Sequence, residues 1–552
     1  MNTPNDSRVG PDTLHDGAPA ADGAGHEAPD TADVVVVGAG LSGLAAAAHL
    51  TGSGYRVALV ESAPAVGGRV RTETIAGHRF DTGATVLTMP ELVERTLAAT
   101  TTGETTTGAT FAESVALTPI DPTYHVRFAD GTDVDIARDP ESLSANITAT
   151  FGEREGQAHK RLRRWLADLF DVEFDTFVDR NADGVLDYLD ATSRGATMRL
   201  LSMGALAPLE MVIRRFIHDE RLRRVFTFQA LYAGVAPSRA PGVYALIAHM
   251  DIGMGVWYPR GGMGAIADTI AEHLVREGCS VSLNTPVDRV IVRGDTVGGV
   301  ELSDGRVIDA RAVVLTTDTP VTETLMREST AARRRRRRRR VHHSPSAVVV
   351  HGLVREDLAR SWPARHHTIL FGDAWAQTFS EITGRRGTLM SDPSLLITRP
   401  AQSDPATFVR DGYESISVLA PCPNLDSADL PWDQLAPAYA REVLATLADR
   451  GYAGIDEHLE IVRIDHPLTW SRAGMSAGTP FAAAHRYSQT GPFRTPNVWP
   501  GIPGVVLAGS STVPGVGIPP VLVSGRLASE RVAAVLGSAH GSQPSSSAAG
   551  GR

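Results

Sequence analysis

A chain of 552 residues, 42% apolar and 21% charged, has the length for two or three domains and the composition of a soluble globular protein. Its net charge of −10 argues against a nucleic-acid binder, and Cys279 and Cys422, its two cysteines, offer neither a disulfide framework nor a metal-ligand spacing. No stretch reaches the roughly 18 uninterrupted apolar residues of a membrane-spanning helix.

Residues 1–31 are polar, acidic and rich in Gly, Ala and Pro, lack the basic start and apolar run of a signal peptide, and are predicted to be disordered. Predicted structure begins at DVVVVGAGLSGLAAAAHL (33–50): four valines as a buried parallel strand, a glycine-rich turn, then an alanine-rich helix. YRVALVES (55–62) reads as the next strand and completes a βαβ opening. Residues 141–235 are predominantly helical in pattern. Within them MRLLSMGALAPLEMVIRRFI (198–217) suits either an interfacial segment with its apolar side in lipid or a buried helix lining a tunnel.

Short strands return over 279–315, with RGDT and SDGR as hairpin-like turns. Eight consecutive arginines follow, Arg333–Arg340, in a chain where 52 of 53 basic residues are arginine. Arginine is this chain's default cation, so the run is predicted to be a solvated surface. Its functional alternative is an anchor to anionic lipid headgroups, at about 1 kcal/mol per arginine. Strand and helix patterns alternate from 345 to 463; the strand GVVLAG (504–509), a Gly/Pro-rich turn and a helix from about Pro520 follow. Residues 538–552 are predicted to be a flexible tail.

Gly38, Gly40 and Gly43 form GxGxxG between the first strand and the first helix. The spacing suits a tight turn, close backbone approach to a pyrophosphate and close helix–sheet packing. The helix N-terminus offers free N–H groups to phosphate. Glu61 ends the second strand, 23 residues after Gly38, where an acid meets ribose hydroxyls. Together they predict a dinucleotide site.

After Glu61 the segment SAPAVGGRVRTETIAGHRFDTGATVL carries the doublet Gly67–Gly68 and then Arg69. Here the chain resembles the glutathione-reductase-like flavoproteins of the amine oxidase and carotenoid desaturase lineage. The resemblance continues through FDTGATVLTMP (80–90), the block 219–270 with GVWYPRGGMG, PVDRVIV (286–292), and VVLAGSSTVPGVGIPPVLVSGRLAS (505–529). It is closest to the phytoene-desaturase type. The fold it implies is α/β: a Rossmann-type FAD-binding domain with an interleaved α+β substrate domain and a helical membrane-facing region. FAD-binding segments are expected at 32–95, 245–325 and 495–537, with the substrate domain at 96–244 and 326–494.

The resemblance implies FAD held by Gly38, Ala39, Gly40, Leu41, Ser42 and Gly43, by Glu61 and Ser62, and by Gly67, Gly68 and Arg69. Val287 is expected beside the adenine, and Gly509, Ser510, Gly517, Ile518 and Pro519 near the flavin. It further implies a lipophilic polyene as substrate, oxygen or a quinone as final electron acceptor, and a cytoplasmic protein attached peripherally to a membrane surface. Val513 stands where many desaturases carry histidine, and Pro520 where glycine is usual. These departures leave open another carotenoid-modifying flavoenzyme, such as a later desaturase, oxygenase or isomerase. A flavin amine oxidase and a redox-inactive, prenyl-lipid-binding GDI-like protein are the more distant readings. Arg69, His249, Tyr258 and Arg260 are polar candidates near family blocks, with His249 read as structural; the acid–base residue stays unassigned.

Overall fold

The structure is a computed structural model describing residues 27–101, 115–188, 190, 193–328 and 341–537. Arg333–Arg340 and the C-terminal tail lie outside the described residues, as does the N-terminal segment before residue 27.

The predicted opening forms β1 (Val34–Val37), α1 (Leu41–Gly52) and β2 (Val57–Val60). Three later strands join them: β3 (Ser280–Ser282), β4 (Ala312–Leu315) and β5 (Val505–Leu507). Together they make one parallel sheet in the order β5-β4-β1-β2-β3. The four valines of β1 are buried on both faces, as a central parallel strand requires. Val34 and Val36 face α1 and the C-terminal helix α2 (Ile518–Leu536), whereas Val35 and Val37 face a three-stranded meander over 287–309. Gly525 of α2 lets the two helices close in, since a Cβ there would stand 2.3 Å from the Ser42 carbonyl oxygen.

The predicted disordered tail is too long at its C-terminal end. Thr31 bridges Asp309, the Asp309 N–H donates to the Asp30 carbonyl at 2.9 Å, and Ala28 is buried. The meander's edge strand supplies the open backbone groups that order these residues.

A second, mixed sheet of eight strands runs through residues 124–136, 346–371, 395–422 and 460–465. Its long central pair, Ser346–Arg355 against Tyr413–Cys422, is antiparallel, and only the pairing of 124–128 with 367–371 is parallel. The helical region is more broken than its pattern predicts. A 21-residue helix, Glu153–Glu173, passes directly into a π-turn, Phe174–Val178. The 198–217 segment divides into helices Arg194–Met203 and Leu209–Arg214, because Gly204 takes a left-handed C-cap conformation (φ 88°) and Pro208 precedes the second helix. Among the described residues, no helix is long and apolar enough to cross a membrane.

Candidate active site

A cavity of about 1270 Å³ runs from the glycine turn after β1, past the N-terminus of α2, to the exposed side chains of Leu201 and Leu206. That exceeds the roughly 300–1,000 Å³ of ordinary ligand pockets. Every residue expected to contact the cofactor faces this cavity except Ala39 and Gly43.

Those two act from behind. A Cβ on Gly43 would stand 1.9 Å from the Gly38 carbonyl oxygen, so this position packs α1 against the turn. The Ala39 N–H donates to Glu61 Oε2 at 2.7 Å, and the Ala63 N–H to Oε1 at 2.9 Å, which holds the carboxylate at the cavity edge. The first turn of α1 has no side-chain cap and no acidic residue, so its N–H groups and positive end are free for an anion. Gly67 bridges Gly40, and its N–H donates to the Ala39 carbonyl, which brings the Gly67–Gly68–Arg69 segment alongside the turn.

Arg69 faces the cavity with its guanidinium held 2.6 Å from Asp318. The resemblance makes Arg69 a cofactor contact; in the structure it forms a salt bridge within the cavity wall. Burial alone would raise Asp318, but Arg69, the Thr319 and Ser476 N–H groups and the Ser511 hydroxyl overcome it and hold the carboxyl at about 2. Asp318 thereby ties the GGR segment, the end of β4 and the 509–517 turn into one wall. The turn is also pinned from outside by buried Arg494, which donates to the carbonyls of Thr512, at 2.7 Å, and Ser510.

The other polar candidates lie off the cavity. Tyr258 is buried and donates to Asp81 Oδ2 at 2.5 Å; Asp81 itself faces the cavity and also accepts from Thr72 and the Met263 N–H. His249 packs against Phe170 with ring centroids 5.1 Å apart and is lowered by burial, in keeping with its structural reading. Arg260 is exposed.

Sequence reasoning missed Asp318, Arg494, His485 and Glu173. His485, fully buried and pushed well below its ordinary value by burial and by Arg494, bonds Tyr244 Oη through Nδ1 at 2.6 Å. Glu173 faces the cavity with Oε2 buried and without a hydrogen-bond partner among the described residues. Only Asp318 carries a local signal, an Asp-Thr-Pro helix start after a strand; the other three are placed by the tertiary fold.

The model of the flavin containing amine oxidoreductase family matches residues 41–533, and the chain belongs to that family. It is an FAD-dependent oxidoreductase, and the uncapped helix ends, Glu61 and the glycine cradle fit that cofactor. It is 43% identical to the phytoene dehydrogenase of Streptomyces griseus, over 90% of this chain and 94% of that protein. It is 31% identical to the zeta-carotene-forming phytoene desaturase of Myxococcus xanthus, over 90% and 93% of the two chains. The fold matches an oxidoreductase from Methanosarcina mazei with a TM-score of 0.55 at 16% identity, covering 89% of this chain and 98% of that one.

Proposed function

We propose that this protein is a carotenoid desaturase that dehydrogenates CH2–CH2 units beside the conjugated system of a long polyene. The observation that carries the reading is the single cavity joining a dinucleotide cradle to an apolar, exposed end. Bound FAD supplies the oxidising chemistry, accepting hydride from the substrate. In this reading the N-terminus of α1 and the Gly38–Gly43 turn hold the pyrophosphate and Glu61 holds a ribose. Val287 lies by the adenine, and Gly509, Ser510 and the Gly517–Pro519 segment lie by the flavin.

The rest of the cavity wall positions the polyene and excludes water. Phe174, Leu396, Leu419 and Phe481 present apolar surface to an extended hydrocarbon without fixing a polar head. The exposed end serves entry from a membrane. Leu201, Leu206 and Phe493 line the cavity and are 44–59% exposed, and Met198 and Met211 on the two helices of the 198–217 segment are 62% and 58% exposed, an apolar surface suited to peripheral docking on the cytoplasmic side. Oxygen or a quinone then takes the electrons from the reduced enzyme.

Expression in a phytoene-accumulating bacterial host, followed by pigment analysis, tests this. Coloured, more conjugated products are expected. Unchanged phytoene together with altered lycopene or neurosporene would move the assignment to a later step of carotenoid modification.

A further inference from the structure

Desaturation releases a proton as well as hydride, and the proton has to leave from inside an apolar cavity. The enclosed carboxyls of the wall are unequal candidates to receive it. Asp318 is held ionised by Arg69 and its hydrogen bonds; Asp81 accepts from Tyr258, Thr72 and the Met263 N–H. Asp251, pushed up to about 7 by burial, accepts from Tyr124 at 3.3 Å. Glu173 differs: it is 8% exposed, faces the cavity, and has one carboxyl oxygen buried with no hydrogen-bond partner among the described residues. A buried, unpartnered carboxyl costs several kcal/mol when charged, and such costs cluster at working sites.

Its setting adds a second argument. Glu173 ends its helix where the backbone widens into the π-turn, an irregularity frequent at functional sites. Burial raises the Tyr244 phenol, and the Glu173 carboxyl lies close enough to add to that rise. The Tyr244 hydroxyl bonds His485 Nδ1 at 2.6 Å and Thr490 Oγ1 at 2.9 Å. The His485 ring in turn lies against Gly515, where a Cβ would be 2.2 Å from Cε1. Carboxyl, phenol and imidazole thus line one stretch of wall that ends at the 509–517 turn.

We propose that Glu173 is the catalytic base of the desaturation, the group that takes the proton from the substrate. The inference rests on the desaturase reading. One C–H bond of the CH2–CH2 unit breaks with its electron pair leaving as hydride to the cofactor. The C–H bond on the adjacent carbon breaks, its electron pair becomes the second bond of the new C=C, and its proton passes to the Glu173 carboxyl group. The neutral acid formed is the state that the apolar wall favours, and the proton then returns to solvent before the next turnover. Burial raises Glu173 well above the ordinary carboxyl range, so the ionised form is a strong base. The titratable and charged groups on the elements packed around it leave it unpaired. Tyr244 is raised by burial and stays protonated, His249 is kept neutral behind Phe170, Arg199 is paired with Asp168, and Asp171 and Asp175 point to solvent.

The test uses the FAD-loaded protein with phytoene in liposomes, following anaerobic single-turnover bleaching of the flavin as a function of pH. The wild-type rate is expected to rise with pH through an apparent value above the ordinary carboxyl range. Glu173→Gln should lower the plateau by about 100-fold or more and abolish this limb, with FAD content and visible spectrum unchanged; Glu173→Asp should restore part of it. Infrared titration of the FAD-free protein gives an independent readout, a protonated-carboxyl band beyond that of Asp251 that persists well above pH 5 in the wild type and is missing in Glu173→Gln. A Glu173→Gln enzyme with the wild-type rate and limb would overturn the assignment, as would loss of the limb in Asp251→Asn instead. Wild-type protein that is not bleached by phytoene would overturn the desaturase reading itself, and the infrared band would still report on the state of Glu173.

Discussion

Asp318 and Glu173 share a cavity and have opposite electrostatic fates. Asp318, ringed by Arg69 and by donors of Thr319, Ser476 and Ser511, falls from 3.8 to about 2, whereas Glu173, with no such donor among the described residues, rises. Because Asp318 is lowered on folding, its stabilisation is fully present above about pH 4 and is lost as pH falls toward 2. A shift of that size corresponds to about 2 kcal/mol. Asp318→Asn is therefore expected to lose about 2 kcal/mol at pH 7 and to flatten the decline below pH 4, as read by denaturant titration across pH. Wild-type stability at pH 7 would count against the network. The glycines and Glu61 were legible because a βαβ turn is written in contiguous residues. Asp318 was not, because its partner Arg69 lies 249 positions away and neither residue announces the other.

The helical region illustrates what periodicity alone leaves out. The apolar pattern over 198–217 left two readings open, an interfacial segment and a tunnel-lining helix, and the break at Gly204 splits the segment into two short helices. Leu200, Leu209, Val212 and Ile213 turn inward, while Leu201, Leu206 and Met211 stay outside at 44–59% exposure. Adjacent leucines thus have different work, and Leu200→Asp would damage the core. The triple variant Leu201→Asp/Leu206→Asp/Met211→Asp touches the exposed surface alone. Flotation with liposomes is expected to fall about tenfold or more in this variant, since each exposed apolar side chain contributes on the order of 1 kcal/mol of membrane burial. Unchanged flotation with FAD content intact would remove these side chains from the docking surface. The boundaries were lost to the pattern because Gly204, Pro208 and the π-turn after Glu173 interrupt the backbone while the apolar spacing runs on.

On the scale of the whole molecule, the cofactor sheet draws on three separated stretches of chain: 34–60, 280–315 and 505–507. The α/β class and the two flanking glycine turns were readable from sequence, whereas the strand order was not, since nothing in β5 names β4 as its neighbour. Truncation after Trp499 would remove β5 and α2, and with them Leu522, Leu527 and Val532 from the core against α1. Such a chain is expected to be insoluble or to unfold without a cooperative transition, and to retain no FAD on gel filtration. A folded, yellow truncated protein would contradict this dependence.

The position of β5 and α2 at the end of the sequence also sets a timetable. Domains fold from the N-terminus as they leave the ribosome, yet this sheet remains open at the β4 edge until residues 505–507 have emerged. The α1 end of the cradle exists early, and the wall from residue 509 onward is added only once β5 has joined β4. Cofactor retention and closure of the sheet therefore depend on the same late step.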